Sequence, residues 1–193
     1  MRRLWIGASV AMLAVGGLSA SADESTEAGP SPKAQSALQL LKSEDPYQRQ
    51  LGFLRLEALR EASTVPMLQE YATHRDAEVR AYSLRAIAAI QGAGAVPQLL
   101  EALRTDRHPK VRRAALLGLE PLQASDPATL PAMLKALHDR DTSVRMTAVD
   151  IVSRIDDARA VEAIRERNKR EHRRDVRRVL SAAMKRLDQR DGP

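Results

Sequence analysis

The chain has no cysteine, and its 193 residues include only one tryptophan, one phenylalanine and three tyrosines. Without cysteine there is no disulfide, and the lipid-modified route to a membrane is closed. Folding has to rest on packing alone. So few aromatics leave no row of stacking platforms for single-stranded nucleic acid. Alternating apolar runs are missing too, so strands have little to form from. There is no Gly-rich phosphate loop and no Ser/His/Asp set. Histidine is limited to His74, His108, His138 and His172.

What the chain does have is a repeat. The dipeptide Val-Arg recurs at Val79-Arg80, Val111-Arg112, Val144-Arg145 and Val176-Arg177, spaced by 32, 33 and 32 residues, and Gln48-Arg49 stands 31 residues upstream of the first. Self-similarity at this period marks a solenoid, whose repeats pack only on their neighbours. Four residues past the Val position stand Gly52, Ser83, Ala115, Ala148 and Leu180. Eight past it stand Leu56, Ile87, Leu119, Val152 and Met184, and eleven past it Leu59, Ile90, Leu122, Ile155 and Leu187. Steps of 4, 4 and 3 trace one face of a helix, small where neighbours approach and large behind.

Asp45, Asp76 and Asp141 stand three residues before the Val position as N-caps, and Pro46 and Pro109 take the first helical position. Each Asp lies four residues before an Arg, which predicts Asp45–Arg49, Asp76–Arg80 and Asp141–Arg145 pairs worth ~0.3–0.5 kcal/mol each if exposed. A shorter helix precedes each long one, at residues 33–43, 64–72, 95–103, 129–137 and 158–166. Pro66, Pro97 and Pro131 fall in its first turn, where an N–H is unpaired anyway. Gly92 is placed to end one long helix, and Pro121 to kink or end another.

These motifs resemble HEAT repeats, in the short bacterial form also seen in phycobilisome lyases. The period is shorter than the roughly 40–47 residues usual for HEAT and armadillo units, so the helices must be short. The resemblance implies an all-α superhelix, a HEAT-like solenoid of about five helix pairs. It implies that Arg49, Arg80, Arg112, Arg145 and Arg177 form a ladder that pairs with turn acids and ties adjacent repeats. It also implies work as a protein-binding scaffold, with partners held on the concave face lined by second helices. The HEAT-like iron hydroxylases rely on His-Glu dipeptides, and none occurs here. The HEAT-like DNA glycosylases use a cleft with a tryptophan, and the one tryptophan here is Trp5, near the start of the chain. The chain is therefore expected not to be an enzyme and to hold no cofactor.

Residues 1–22 read as a signal peptide: Arg2 and Arg3, an apolar stretch over 4–18, then Ala20-Ser21-Ala22 with a cut before Asp23. An uncleaved anchor is the alternative, although the apolar run falls short of the ~20 residues of a span. Residues 23–32 read as a disordered linker. The repeat domain is 33–188, with repeats at about 33–61, 62–92, 93–124, 125–156 and 157–188, followed by a tail at 189–193. The first repeat departs from the pattern at Gln48, as a terminal cap facing water would. Destination is then the periplasm or the medium, with no transmembrane span after cleavage.

The histidines fall in the turns between paired helices. Stacked helices lie ~8–10 Å apart and a Zn–N bond is ~2.0–2.1 Å, so they read as solvated turn residues and no metal is expected. His138, Asp139 and Asp141 form the one local cluster. Concave positions lie two and six residues past the Val position. Leu54, Leu117 and Met146 are apolar there without a packing reason, and with Arg85 and Arg113 they are the expected partner contacts. The net charge is +6, and without Arg2 and Arg3 it is 29 basic against 25 acidic residues, or +4. The excess sits in the last repeat, where Arg170, Arg173, Arg174 and Arg178 could bind an anionic polymer, acidic protein or membrane surface. Nucleic acid is disfavoured by export and by the lack of aromatics.

Overall fold

A computed structural model describes residues 29–124 and 126–190. The expected signal peptide with its cut before Asp23, residues 23–28, Ser125 and the last three residues of the tail lie outside the described residues. Among these described residues ten α-helices run in pairs: α1 (Pro32–Leu41) with α2 (Pro46–Leu59), α3 (Val65–Tyr71) with α4 (Ala77–Gln91), α5 (Val96–Thr105) with α6 (Pro109–Leu119), α7 (Thr129–Ala136) with α8 (Thr142–Val152), and α9 (Ala158–Arg170) with α10 (Arg174–Arg190). Among the described residues there is no strand. The fold is an all-α solenoid.

Local chemistry sets each boundary. Asp45, Asp76 and Asp141 accept from the second or third N–H of their helices. His108 does the same for α6, its Nδ1 accepting from Lys110 N at 3.2 Å. Gly92 adopts φ +53 and closes α4, a conformation that a Cβ would strain. It also divides the apolar helical run 77–105, which by length and composition could cross a membrane, into two helices packed within the array. α6 stops at Leu119, and a 3-10 turn carries Pro121. Ser31 caps α1, which begins at Pro32, and its N–H donates to Glu61 at 3.0 Å.

The positions four and eight past Val face the core. Gly52, Ser83, Ala115, Ala148 and Leu180 are all buried, as are Leu56, Ile87, Leu119 and Val152. A Cβ on Gly52 would meet the carbonyl of Ala37 at 2.8 Å, so glycine is what lets α2 lie against α1. Ser83 satisfies its buried hydroxyl by donating to the Leu68 carbonyl. Phe53 meets Tyr71 edge-on at 5.7 Å and stacks on Tyr82 at 6.0 Å, which pools most of the aromatic surface between the first two pairs. The second helices pack on one another all along the array, whereas among first helices close packing occurs only between α5 and α7. The second helices thus form the more tightly packed row, which the family resemblance makes the inner one. The first pair faces water on one side with apolar residues: α2 leaves Tyr47, Leu51 and Leu54 exposed.

Candidate binding face

The frame that positions the second helices is an arginine ladder. Arg80 Nε and Nη2 each donate to the Asp106 carboxylate at 2.9 Å, while its Nη1 donates to the carbonyls of His74 and Arg75. Arg112 grips Asp139 at 2.8 and 2.7 Å, and Arg145 donates to Glu171 at 3.0 Å. The expected links between adjacent repeats therefore form at three of the five arginines. The expected pairs within a helix do not carry them: Asp76 and Asp141 spend their carboxylates on caps, and the acids that count stand five residues before Val. For Arg49 the corresponding place five before Val is held by His74 rather than an acid, and Arg49 donates to the Ser43 and Glu44 carbonyls. Arg177, the fifth, is exposed.

The ladder sets its own electrostatics. Burial works against the ionised Asp106, yet the Arg80 guanidinium and the His108 N–H outweigh it and hold the carboxyl below the usual range. Glu171 is more extreme. Burial opposes its charge, but the Arg173 N–H and the guanidinia of Arg167 and Arg145 bring it down to about 2. The His138–Asp139–Asp141 cluster is already committed, since Asp139 holds Arg112 and Asp141 caps α8. Burial, with Arg167 and Arg170 nearby, pushes the His138 pKa down. Among the described residues no three His, Asp or Glu side chains stand close enough to share a metal ion.

On the inner row the expected contacts divide. Arg85 in α4 pairs with Glu57 in α2 at 3.2 Å. Arg113 in α6 donates to Thr147 in α8 at 3.1 Å, so both arginines bridge successive second helices. Met146 is half-buried and packs part of its side chain against the core. Leu117 is 44% exposed and Leu54 41%. A groove of about 430 Å³ runs beside Leu117, lined by Glu57, Arg60, Arg85, Ala88 and Pro121. Arg60 ends α2 at φ +54, the one non-glycine residue with positive φ among those described.

At the other end, Arg170 lies 3.5 Å from Glu166 and Arg173 3.9 Å from Asp175, both exposed pairs, and Arg174 and Arg178 are exposed on α10. Sequence reasoning missed two features. A groove of about 630 Å³ opens on the outer side between α5 and α7, lined by Leu100, Ala132, Lys135 and His138; nothing in the repeat spacing signals it. Tyr47 and Leu51 share an exposed face with Leu54, and steps of 4 and 3 residues carry that signal in the sequence.

A profile of HEAT repeats matches residues 34–120 and again 96–185. No curated protein sequence matches the chain significantly. Among solved structures, the complex of CpcE and CpcF of phycocyanin lyase from Nostoc sp. PCC7120 is similar with a TM-score of 0.66 at 24% identity, over 78% of this chain and 97% of that one. An engineered protein is similar with a TM-score of 0.50 at 19% identity, over 81% of this chain and 79% of its own. At these identities the likeness is one of fold.

Proposed function

The chain belongs to the HEAT-repeat family, and on that premise we propose that it is a non-enzymatic scaffold of the cell envelope that holds a protein partner on its inner face. The observation that carries this reading is Leu117, left 44% exposed beside a groove with Arg60 and Arg85 on its walls. An apolar centre with an arginine rim is the composition of protein interfaces. Arg60 adds support, because a side chain kept in a strained left-handed conformation points to use rather than stability. The contact set is then Arg85, Arg113 and Leu117, extended along the row by Leu54, with Met146 contributing its exposed part. The similar structure is of two phycocyanin lyase proteins in complex with each other, which fits a fold that binds proteins. The envelope location rests on the sequence of residues 1–22, read as an export signal cut before Asp23.

Affinity capture from an envelope extract tests it, with the wild-type chain beside Arg113→Glu/Leu117→Asp. A protein retained by the wild type through a high-salt wash and lost by the variant, with helicity unchanged, supports the reading. Equal capture by both removes this face from it.

A second reading is favoured by the exposed cations of the last pair. Arg170, Arg173, Arg174 and Arg178 would hold an anionic polymer, an acidic protein or an anionic membrane surface. Salt distinguishes the two: affinity built on neutralised anions falls steeply as salt rises, and an apolar-centred interface loses much less.

A further inference from the structure

The four large apolar side chains most exposed among the described residues are Tyr47 (80%), Leu51 (38%), Leu54 (41%) and Leu117 (44%), and three of them stand on α2. With exposed Ala58 they form one line: Tyr47, Leu51, Leu54, Ala58, in steps of 4, 3 and 4. That is the d, a, d, a spacing of a coiled-coil seam two heptads long. The position of Leu51 explains why the seam is bare at that residue. It stands three residues past the Val position, and in later pairs that place is met by the preceding second helix. Tyr82 stacks on Phe53, Ala114 is 4% exposed, and Thr147 accepts from Arg113. What α2 lacks is a helix in front of it.

We propose that a second copy of this chain supplies that helix, α2 packing antiparallel on α2 about a two-fold axis. The seam is self-complementary in that direction. Leu51 meets Leu54 of the partner subunit, and Tyr47 lies over Ala58 of the partner subunit, large against small. A parallel pairing would set tyrosine on tyrosine and alanine on alanine, crowding one end and leaving the other hollow. The flanking residues agree. Gln48 faces Arg55 of the partner subunit and Gln50 faces Glu57 of the partner subunit, so no like charges meet. Head-to-tail stacking does not fit, because α10 would press exposed Arg174, Arg178 and Lys185 onto the apolar seam, and burying an unpaired charge is costly. Four side chains per copy make a small interface, so the dimer is transient and concentration-dependent. Leu54 belongs to both surfaces, but the proposal does not rest on the groove at Leu117.

Sedimentation velocity over a wide concentration range, on the chain as its producing cell delivers it, is the first test. A monomer–dimer equilibrium is expected, with Tyr47→Lys/Leu51→Lys raising the dissociation constant by about 30-fold or more at unchanged helicity. Register is tested by cross-linking, which the absence of native cysteine makes clean. Tyr47→Cys and Ala58→Cys are made as separate chains. Disulfide should form rapidly between the two variants when mixed, and slowly between copies of either alone. A monomer at every concentration, a dimer indifferent to Tyr47→Lys/Leu51→Lys, or cross-linking between like variants would each overturn the proposal. A monomer that still captures a partner through Leu117 would leave the scaffold reading standing while removing this one.

Discussion

Arg112 joins three helix pairs through one guanidinium. Its Nε and Nη2 hold the Asp139 carboxylate of the next pair, while its Nη1 holds the backbone carbonyl of Asp106, whose carboxylate is held by Arg80 of the pair before. Arg145 repeats the arrangement, donating to the Asp139 carbonyl and the Glu171 carboxylate. Asp106 and Asp139 are thus each held twice, through the side chain from one direction and the backbone from the other.

Asp139→Asn should be costly. Arg112 is nearly buried, and removing the charge opposite it leaves a desolvated cation, with a loss of about 3 kcal/mol. Asp76→Asn keeps a capping side chain and should cost under about 0.5 kcal/mol. Urea denaturation of both variants separates a link between pairs from a cap within one.

Acid should loosen the last pair first. The folded pKa of Glu171 is about 2, below its unfolded value near 4.3, so the unfolded chain takes up the proton first. Its contribution is whole above about 4.3 and is lost as pH falls toward about 2. His138 adds a milder loss, since its depressed pKa means that stability declines as pH falls through the ordinary histidine value near 6.5. Glu171→Gln should flatten the acid limb of a melting-temperature profile, and His138→Gln the limb near neutrality.

Gly92→Ala should destabilise by about 1–2 kcal/mol, because the φ of +53 has to be kept with a Cβ in place. Gly52→Ala acts differently, by pushing α2 off α1, at about 1–3 kcal/mol. Thermal melts give the sizes. Hydrogen exchange tells them apart, since only the second should expose amides of α1.

Arg60→Gly should raise stability by about 1 kcal/mol, since glycine adopts the left-handed conformation without strain. If the groove binds as proposed, the same change weakens partner capture. A variant that gains stability and keeps full capture would take Arg60 out of the contact set.

The helices and their pairing were legible because Val-Arg, the aspartate caps and the prolines each fix a local choice that agrees with the others. The ladder was half legible. The arginines were visible, but the sequence favours the Asp four residues away, along one helix. The acid that matters lies 26 or 27 residues on, and stacking alone brings it near. Asp106, Asp139 and Glu171 do share a place five residues before Val, and the histidine at 74 marks where that series starts. The inner face was harder. Leu117, six past Val, stays exposed, while Met146, two past Val, packs against the core, and the repeat spacing alone gives both as concave positions. Tyr47 and Leu51 were readable as a line, but nothing in one repeat says that the helix covering its counterparts is missing.

The ladder runs along one edge only, the edge of the turns within each pair. The opposite edge, where one pair passes to the next, carries a single 3-10 turn at three of its four passages among the described residues, Ala62–Thr64, Gly92–Ala95 and Glu120–Leu122. Mechanically this is a strip with a stiff hem and a soft one. Bending should pivot about the arginines, opening or closing the soft edge while the hem keeps its length. A cargo could then change the curvature of the array at the expense of the Arg154–Glu120 pair on the soft edge, with the ladder kept whole.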